Sequence, residues 1–396
     1  MEDLIAIGTS SMKRVISINT NNSSIILKYV LGTLYKLITL VCPINQKKVV
    51  FASFRSNQLS GNLEYIYKEL KNTNNDFSMV FLFGKYKKKP LGQLRYYVQM
   101  IRAILHLATS RYFFIDDYYL PVYLVAPRKG TEIIQLWHAA GAFKKFGHST
   151  VGKPFGPSVE YIKHINIHSN YSKVFVSTDE VIPFYQEAFD MSPKDIYPMG
   201  LPRTDYFFET RNHFKVKEKF FNEFPELKTK KLVLYAPTFR GKGSMDHSLD
   251  FNVMKRILGD DYALLVHLHP YMNEDIDNSQ GFVYHINNKY SIEEILILSD
   301  MLITDYSSII FDYSILSRPI AFYANDLESY TKERDFYYQY EDIVPGPVFD
   351  SSVEIAEWIK KGEFDLDSIS QFRKRFLPNC DGNVSKRIVK QILSSN

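Results

Sequence analysis

The chain has 396 residues, 45% of them hydrophobic and 23% charged, which suits two folded domains and excludes a disordered protein. Two cysteines, Cys42 and Cys380, are too few for a disulfide framework or a cysteine-rich metal module, and no uninterrupted apolar run reaches the roughly 20 residues of a spanning helix. The net charge of +4 divides unevenly, with 20 Lys and Arg against 8 Asp and Glu over residues 1–150 (+12) and −8 over the remainder. The basic part is either an ordinary surface or one that faces an anionic partner, a phospholipid surface or a phosphate-bearing acceptor. No nucleic-acid recognition module accompanies it, so no nucleic-acid partner is expected.

Residues 24–41 place Leu27, Val30, Leu31, Leu34, Ile38 and Val41 at helical spacing, with Lys28 and Lys36 on another face. Two lysines in so short a run argue against spanning. They suit either a helix lying in a membrane interface, with the lysines reaching head groups, or an amphipathic helix packed on the first domain. No signal-peptide pattern is visible, so the chain is expected to stay in the cytoplasm.

From residue 47 apolar strand-like runs alternate with helical ones: strands at 49–54, 79–83, 112–116, 132–137 and 174–177, with a helix over 91–108. After a polar, charged stretch near 209–230 the alternation restarts. Strands are predicted at 231–236, 263–267, 282–285, 301–304 and 320–323, with helices over 292–298 and 308–316. The expected architecture is α/β: an amphipathic segment over 1–44, then two doubly wound Rossmann-like domains, 45–208 and 209–396, facing a cleft. Ligands of such sheets sit beyond the carboxyl ends of the strands.

The informative residues fall at those ends. His138 leaves the strand at 133–136 and is followed by small residues, Ala139, Ala140 and Gly141, where a backbone can approach a substrate. A histidine there is suited to accept a hydroxyl proton near neutral pH, although a structural role is the commoner fate of one histidine; Lys144 and Lys145 add positive charge. His267 and His269 alternate onto one strand face before Pro270. They resemble a metal clip but lack a third ligand, so a phosphate donor or acid is favoured. The run 304–308, Thr-Asp-Tyr-Ser-Ser, leads into a helix, where hydroxyls and free N–H groups form an anion site; Asp305 or Ser307 would equally cap it. Asp312 on that helix is either an exposed charge or a holder of a substrate hydroxyl. Thr238 and Arg240 end another strand, and Arg203 follows Gly200-Leu201-Pro202. Either arginine could clamp a phosphate or serve as a surface ion-pair partner. No Walker lysine motif, dinucleotide fingerprint or nucleophile elbow is present.

In this order, the segments at 137–147 (Trp-His-Ala-Ala-Gly-Ala-Phe-Lys-Lys-Phe-Gly), 200–205, 235–240, 269–270 and 304–308 resemble the CDP-glycerol glycerophosphotransferase family of teichoic acid synthesis, over roughly residues 47–390. The resemblance implies a GT-B-like fold, acceptor lobe first and nucleotide lobe second, attached peripherally to the cytoplasmic face of a bacterial cell membrane. It implies His138 as general base, His269 steadying the diphosphate, and Ser307 and Ser308 on the donor phosphates with Arg203, Thr238, Arg240 and Asp312 beside them. Gly141, Lys144 and Lys145 then lie on the acceptor side. Ala139-Ala140-Gly141 stand where many members have Gly-Thr-Pro, which implies an altered acceptor pocket, and a primer-type enzyme is favoured over a long-chain polymerase. The expected reaction moves glycerol phosphate from CDP-glycerol to a hydroxyl of an undecaprenyl-diphosphate-linked glycan or growing chain, releasing CMP, with no cofactor and no obligatory metal. The alternatives are a CDP-ribitol ribitolphosphotransferase, a sugar-nucleotide enzyme on the same fold, or a non-catalytic membrane scaffold. Homo-oligomer formation is compatible with the sequence.

Overall fold

The computed structural model describes residues 10–73, 76–86, 90–238, 249–268, 281–286 and 289–394. Twelve strands follow in chain order: β1 (Asn45–Ser53), β2 (Ser78–Phe83), β3 (Ser110–Ile115), β4 (Glu132–Gln135), β5 (Lys173–Val176), β6 (Ile196–Pro198), β7 (Lys231–Tyr235), β8 (Tyr262–Val266), β9 (Val283–His285), β10 (Met301–Thr304), β11 (Ile320–Tyr323) and β12 (Val348–Phe349). They form two six-stranded sheets, β2-β1-β3-β4-β5-β6 and β12-β11-β10-β7-β8-β9, and every pairing is parallel. A parallel pair needs a crossover, and the helices between strands supply it. Strands covered on both faces read as apolar runs, which is why β5, β8, β10 and β11 are buried along their whole length. The expected α/β class, with two doubly wound Rossmann-like units, is therefore present.

The described residues divide into two compact units, one running to Arg203 and rejoined by the segment from Asn383, the other Thr204–Gly382. The sequence-based boundary at 208/209 lies close to this junction. The helix Val384–Ser394, by contrast, packs with the first unit against the helix Gly61–Asn72. Its apolar face (Val384, Ile388, Val389, Ile392) is buried, and Arg387 donates to the Met199 carbonyl at 3.2 Å.

The strand order reverses between β1 and β3 in the first sheet and between β7 and β10 in the second. Such reversals open a crevice at the carboxyl ends of the strands.

The first helix runs Ser10–Val41, and its stretch Ser24–Val41 (mean hydropathy 1.5) is long and apolar enough, by length and composition, to cross a membrane. One face is nevertheless committed to the first unit: Leu31 and Tyr35 are buried, and Leu27, Leu34 and Ile38 pack on the same core. The Tyr35 hydroxyl accepts from Arg128 N at 2.9 Å. Lys28 donates to the His164 carbonyl at 2.7 Å instead of standing free for a head group, whereas Lys36 is exposed. The opposite face leaves Ile26, Tyr29, Val30, Leu37, Leu40 and Val41 exposed.

Candidate active site

In the first unit the apolar run predicted as a strand to residue 137 stops at Gln135, because Trp137 takes φ +51. A left-handed bulky residue costs about 1–2 kcal/mol, and its surroundings hold it there. Trp137 N donates to Gln135 Oε1 at 2.8 Å, and its carbonyl accepts from Asn62 Nδ2 at 2.7 Å. Its ring stacks on Phe146 (centroids 5.1 Å) and meets Phe189 edge-on at 5.3 Å. The turn brings His138 back over the end of β3. There Nδ1 lies 3.3 Å from the Asp116 carbonyl and 3.6 Å from Asp117 Oδ1, with the His138 side chain 31% exposed.

Two arginines flank this histidine. Arg203 donates to the His138 carbonyl, and its own backbone N donates to Asn62 Oδ1 at 3.0 Å. Asn62 thereby ties together the segments carrying His138 and Arg203. Desolvation first, then the charges of Arg55 and Arg203, hold the imidazole well below its ordinary pKa, against a small opposing pull from Asp116. His138 is therefore neutral at pH 7. Donating from Nδ1 to the Asp116 carbonyl, it presents Nε2 as a lone-pair acceptor. Asp116 is itself buried, and desolvation raises its carboxyl pKa despite Ser53, Arg55 and Arg203. Opposed shifts in adjacent groups at a strand end are an arrangement suited to proton transfer.

The loop after His138 turns at Gly141 (φ +67), where a side chain would be strained. The Ala139 and Gly141 carbonyls both accept from the Tyr185 hydroxyl at 3.3 Å. Lys144 and Lys145 are half-buried in the same loop, and desolvation, then the neighbouring Lys145 charge, lowers the pKa of Lys153. Arg203, expected beside the donor phosphates, is placed with His138 in the first unit. Arg55, Asn62, Asp116 and Asp117 join the site although sequence reading did not single them out.

Behind this site His168 is buried with its Nδ1 2.9 Å from the Tyr171 hydroxyl, and desolvation, with a smaller contribution from His148, holds its pKa at about 3. The unfolded chain, with an ordinary histidine, binds the proton more readily. Stability from this site is therefore full above about pH 6.5 and falls toward pH 3 by about 1.4 kcal/mol per pH unit. Urea unfolding at pH 6.5 and 5 should show about 2 kcal/mol of such loss. The variant His168→Asn, which tolerates the φ of +60, should lack that part; an equal loss in both proteins contradicts it.

In the second unit the crevice lies between β7 and β10. Asp305, just past β10, accepts from Thr238 N (2.9 and 3.0 Å), Thr238 Oγ1 (2.7 Å) and Tyr306 N (2.5 Å), so it is a strut between two strand ends instead of a helix cap. Thr304 Oγ1 adds a bond to the Ala236 carbonyl at 2.7 Å, and Tyr340 donates to the Asp305 carbonyl at 2.9 Å. The predicted helix 308–316 is observed as Ile309–Ser314; Ser308 precedes it without a side-chain cap bond, and Ser307 Oγ accepts only a long 3.4 Å contact from Ile309 N. Both half-buried hydroxyls thus keep their protons for another acceptor. Asp312 is half-buried one turn further on, and His267 closes β8 with its N donating to the Tyr235 carbonyl at 3.0 Å. The structure thus brings Thr238, Ser307 and Ser308 to one crevice; Arg240 and His269 lie outside the described residues. Among the described residues no group of three or more His, Cys, Asp or Glu is placed to hold a metal ion.

Comparison with known proteins agrees with this picture. The family described as CDP-Glycerol:Poly(glycerophosphate) glycerophosphotransferase matches residues 34–394. The chain is 44% identical over 376 residues to the teichoic acid ribitol-phosphate primase of Bacillus spizizenii, covering 93% of this chain and 96% of that one. It is 28% identical to the teichoic acid glycerol-phosphate primase of Bacillus subtilis, covering 87% and 88%. Its fold matches the solved structure of the wall teichoic acid polymerase TagF, with a TM-score of 0.74 at 23% identity over 98% of both chains. The crevice chemistry, the GT-B-like fold and the near-complete match lead to one assignment: the chain belongs to the CDP-glycerol:poly(glycerophosphate) glycerophosphotransferase family.

Proposed function

We propose that this transferase of teichoic acid synthesis moves ribitol phosphate from CDP-ribitol to a hydroxyl of a lipid-linked glycan and releases CMP. The choice of donor rests on one observation, 44% identity along nearly the whole length of a ribitol-phosphate primase, against 28% to a glycerol-phosphate primase. The sequence alone favours CDP-glycerol. The higher identity to the ribitol-phosphate primase than to a ribitol-phosphate polymerase, 44% against 37%, favours a primer-type enzyme.

The neutral His138 accepts the acceptor hydroxyl proton at Nε2 as that oxygen forms a bond to the β-phosphorus. The bond from that phosphorus to the oxygen bridging to the CMP phosphate breaks, and CMP leaves with the electron pair. Ser307 and Ser308, with Thr238 held beside them, donate to the diphosphate where charge builds on the leaving group. Arg240 and His269 keep the donor-side role that the family resemblance implies, and Asp312 that of holding a donor hydroxyl. Gly141, Lys144 and Lys145 line the acceptor side, with Arg203 holding the His138 loop. The apolar outer face of the first helix supports work at the cytoplasmic face of the membrane.

The test is acceptor-dependent CMP release with CDP-ribitol and CDP-glycerol in parallel. A kcat/KM at least tenfold higher for CDP-ribitol is expected. A preference for CDP-glycerol returns the donor to the sequence-based expectation, and release independent of acceptor contradicts the transfer.

A further inference from the structure

A cavity of about 410 Å³ opens in the first unit at the carboxyl ends of β1 and β2, and His138 is not among its lining residues. Its polar lining comes from Asn57, Lys85, Arg95 and Gln99. The loops are pinned: Asn57 Oδ1 accepts from Lys85 N at 2.8 Å, and Gln99 Nε2 donates to the Phe83 carbonyl at 3.0 Å. A Cβ at Gly84 would stand 2.2 Å from Gln99 Nε2, so any side chain there would displace the Gln99 amide. Neither the Lys85 nor the Arg95 side chain pairs with a described residue. Two cations, one a planar fork, thus stand unneutralised at the mouth of a cavity, the donor set a diphosphate takes.

The same cavity heads an apolar track. Leu91 lines it and begins a stripe along the helix Pro90–Thr109, continued by Leu94, Val98, Ile101 and Leu105, all 43–62% exposed. The spacing is helical, so the five side chains form one ridge of about 20 Å. The first helix packs alongside and extends this surface with its own exposed apolar face. An apolar surface of this extent on a folded unit marks a binding face.

We infer that this cavity and stripe seat the polyprenyl diphosphate of the acceptor, the diphosphate between Arg95 and Lys85 and the hydrocarbon along Leu91–Leu105. The inference rests on the proposed function for the identity of the acceptor. His138 stands over the end of β3, the strand next to β1, so a diphosphate held at the ends of β1 and β2 leaves the attached glycan to reach it.

Equilibrium binding of farnesyl diphosphate to the full chain, without vesicles, tests the seat independently of turnover. The wild type should bind it at least tenfold more tightly than inorganic pyrophosphate or farnesol. Lys85→Ala/Arg95→Ala should lose at least tenfold, Arg95→Lys less, and thermal unfolding should not move because both residues are exposed. In turnover, the double variant should raise the acceptor KM at least tenfold and leave the donor KM unchanged. Equal binding by wild type and double variant overturns the seat. So does a variant that loses phosphatidylglycerol vesicle binding while keeping farnesyl diphosphate, which makes the patch a membrane contact. If the wild type binds farnesyl diphosphate yet transfers nothing from either CDP-polyol, the proposed function fails and the seat stands.

Discussion

Replacing His138 by Gln should lower kcat for acceptor-dependent CMP release by about 10²–10⁴-fold, the contribution of a positioned general base. CDP-polyol affinity should stay within a few-fold, because the donor-side hydroxyls lie in the other unit. The loss should reside in proton acceptance and not in folding. The His138 backbone is held by Trp137, Asn62 and Arg203, and the Arg203 contact is to the His138 carbonyl. The pH profile adds a sharper signature. Desolvation and the two arginines depress the His138 pKa, so the base remains deprotonated below the ordinary histidine value. The acid limb of the wild-type rate should therefore fall below pH 6.5, and it should move upward in Arg55→Gln as one repelling charge is removed. An acid limb that stays put in that variant removes Arg55 from the account.

Asp305→Ala should be the most destabilising substitution in the second unit, by about 3–5 kcal/mol. It leaves the half-buried Thr238 N, the Thr238 hydroxyl and the buried Tyr306 N without the carboxylate that now accepts all three. Asp305→Asn, which keeps one accepting oxygen, should fall between the two. Because the strut aligns the end of β7 with the end of β10, CDP affinity should fall together with stability. Denaturant unfolding monitored alongside CDP binding checks this. Unchanged stability would mean that the strand ends are held by the Thr304 and Tyr340 bonds alone.

The ten strands predicted from sequence are all found, because a parallel sheet covered on both faces writes itself as short apolar runs. The two strands not anticipated, Ile196–Pro198 and Val348–Phe349, lie at sheet edges and are too short to show a pattern. The overshoot at 132–137 has a different cause. Trp137 is as apolar as a strand residue, and only the ring cluster around it and its hydrogen bonds to Gln135 and Asn62 fix its left-handed turn.

His138, Thr238, Ser307 and Ser308 were legible because each follows an apolar run directly. Asp116 and Asp117 carry the same signal after β3 and could have been found by it. Asn62 could not: it acts on a loop 75 residues away, a pairing made by the fold alone. Arg203 shows the same limit, since its motif reads as phosphate chemistry while its guanidinium lies on the His138 carbonyl. Asp305 reads as a cap until the fold brings Thr238, 67 residues away, against it.

The most direct test of the whole account is product analysis by mass spectrometry, with CDP-ribitol and a lipid-linked glycan acceptor, on wild type and His138→Gln side by side. Wild-type acceptor should gain ribitol phosphate in step with CMP, while the variant should form neither product yet still bind CDP-ribitol. Full product from the variant, or CMP accompanied by free ribitol phosphate and unaltered acceptor, would contradict it.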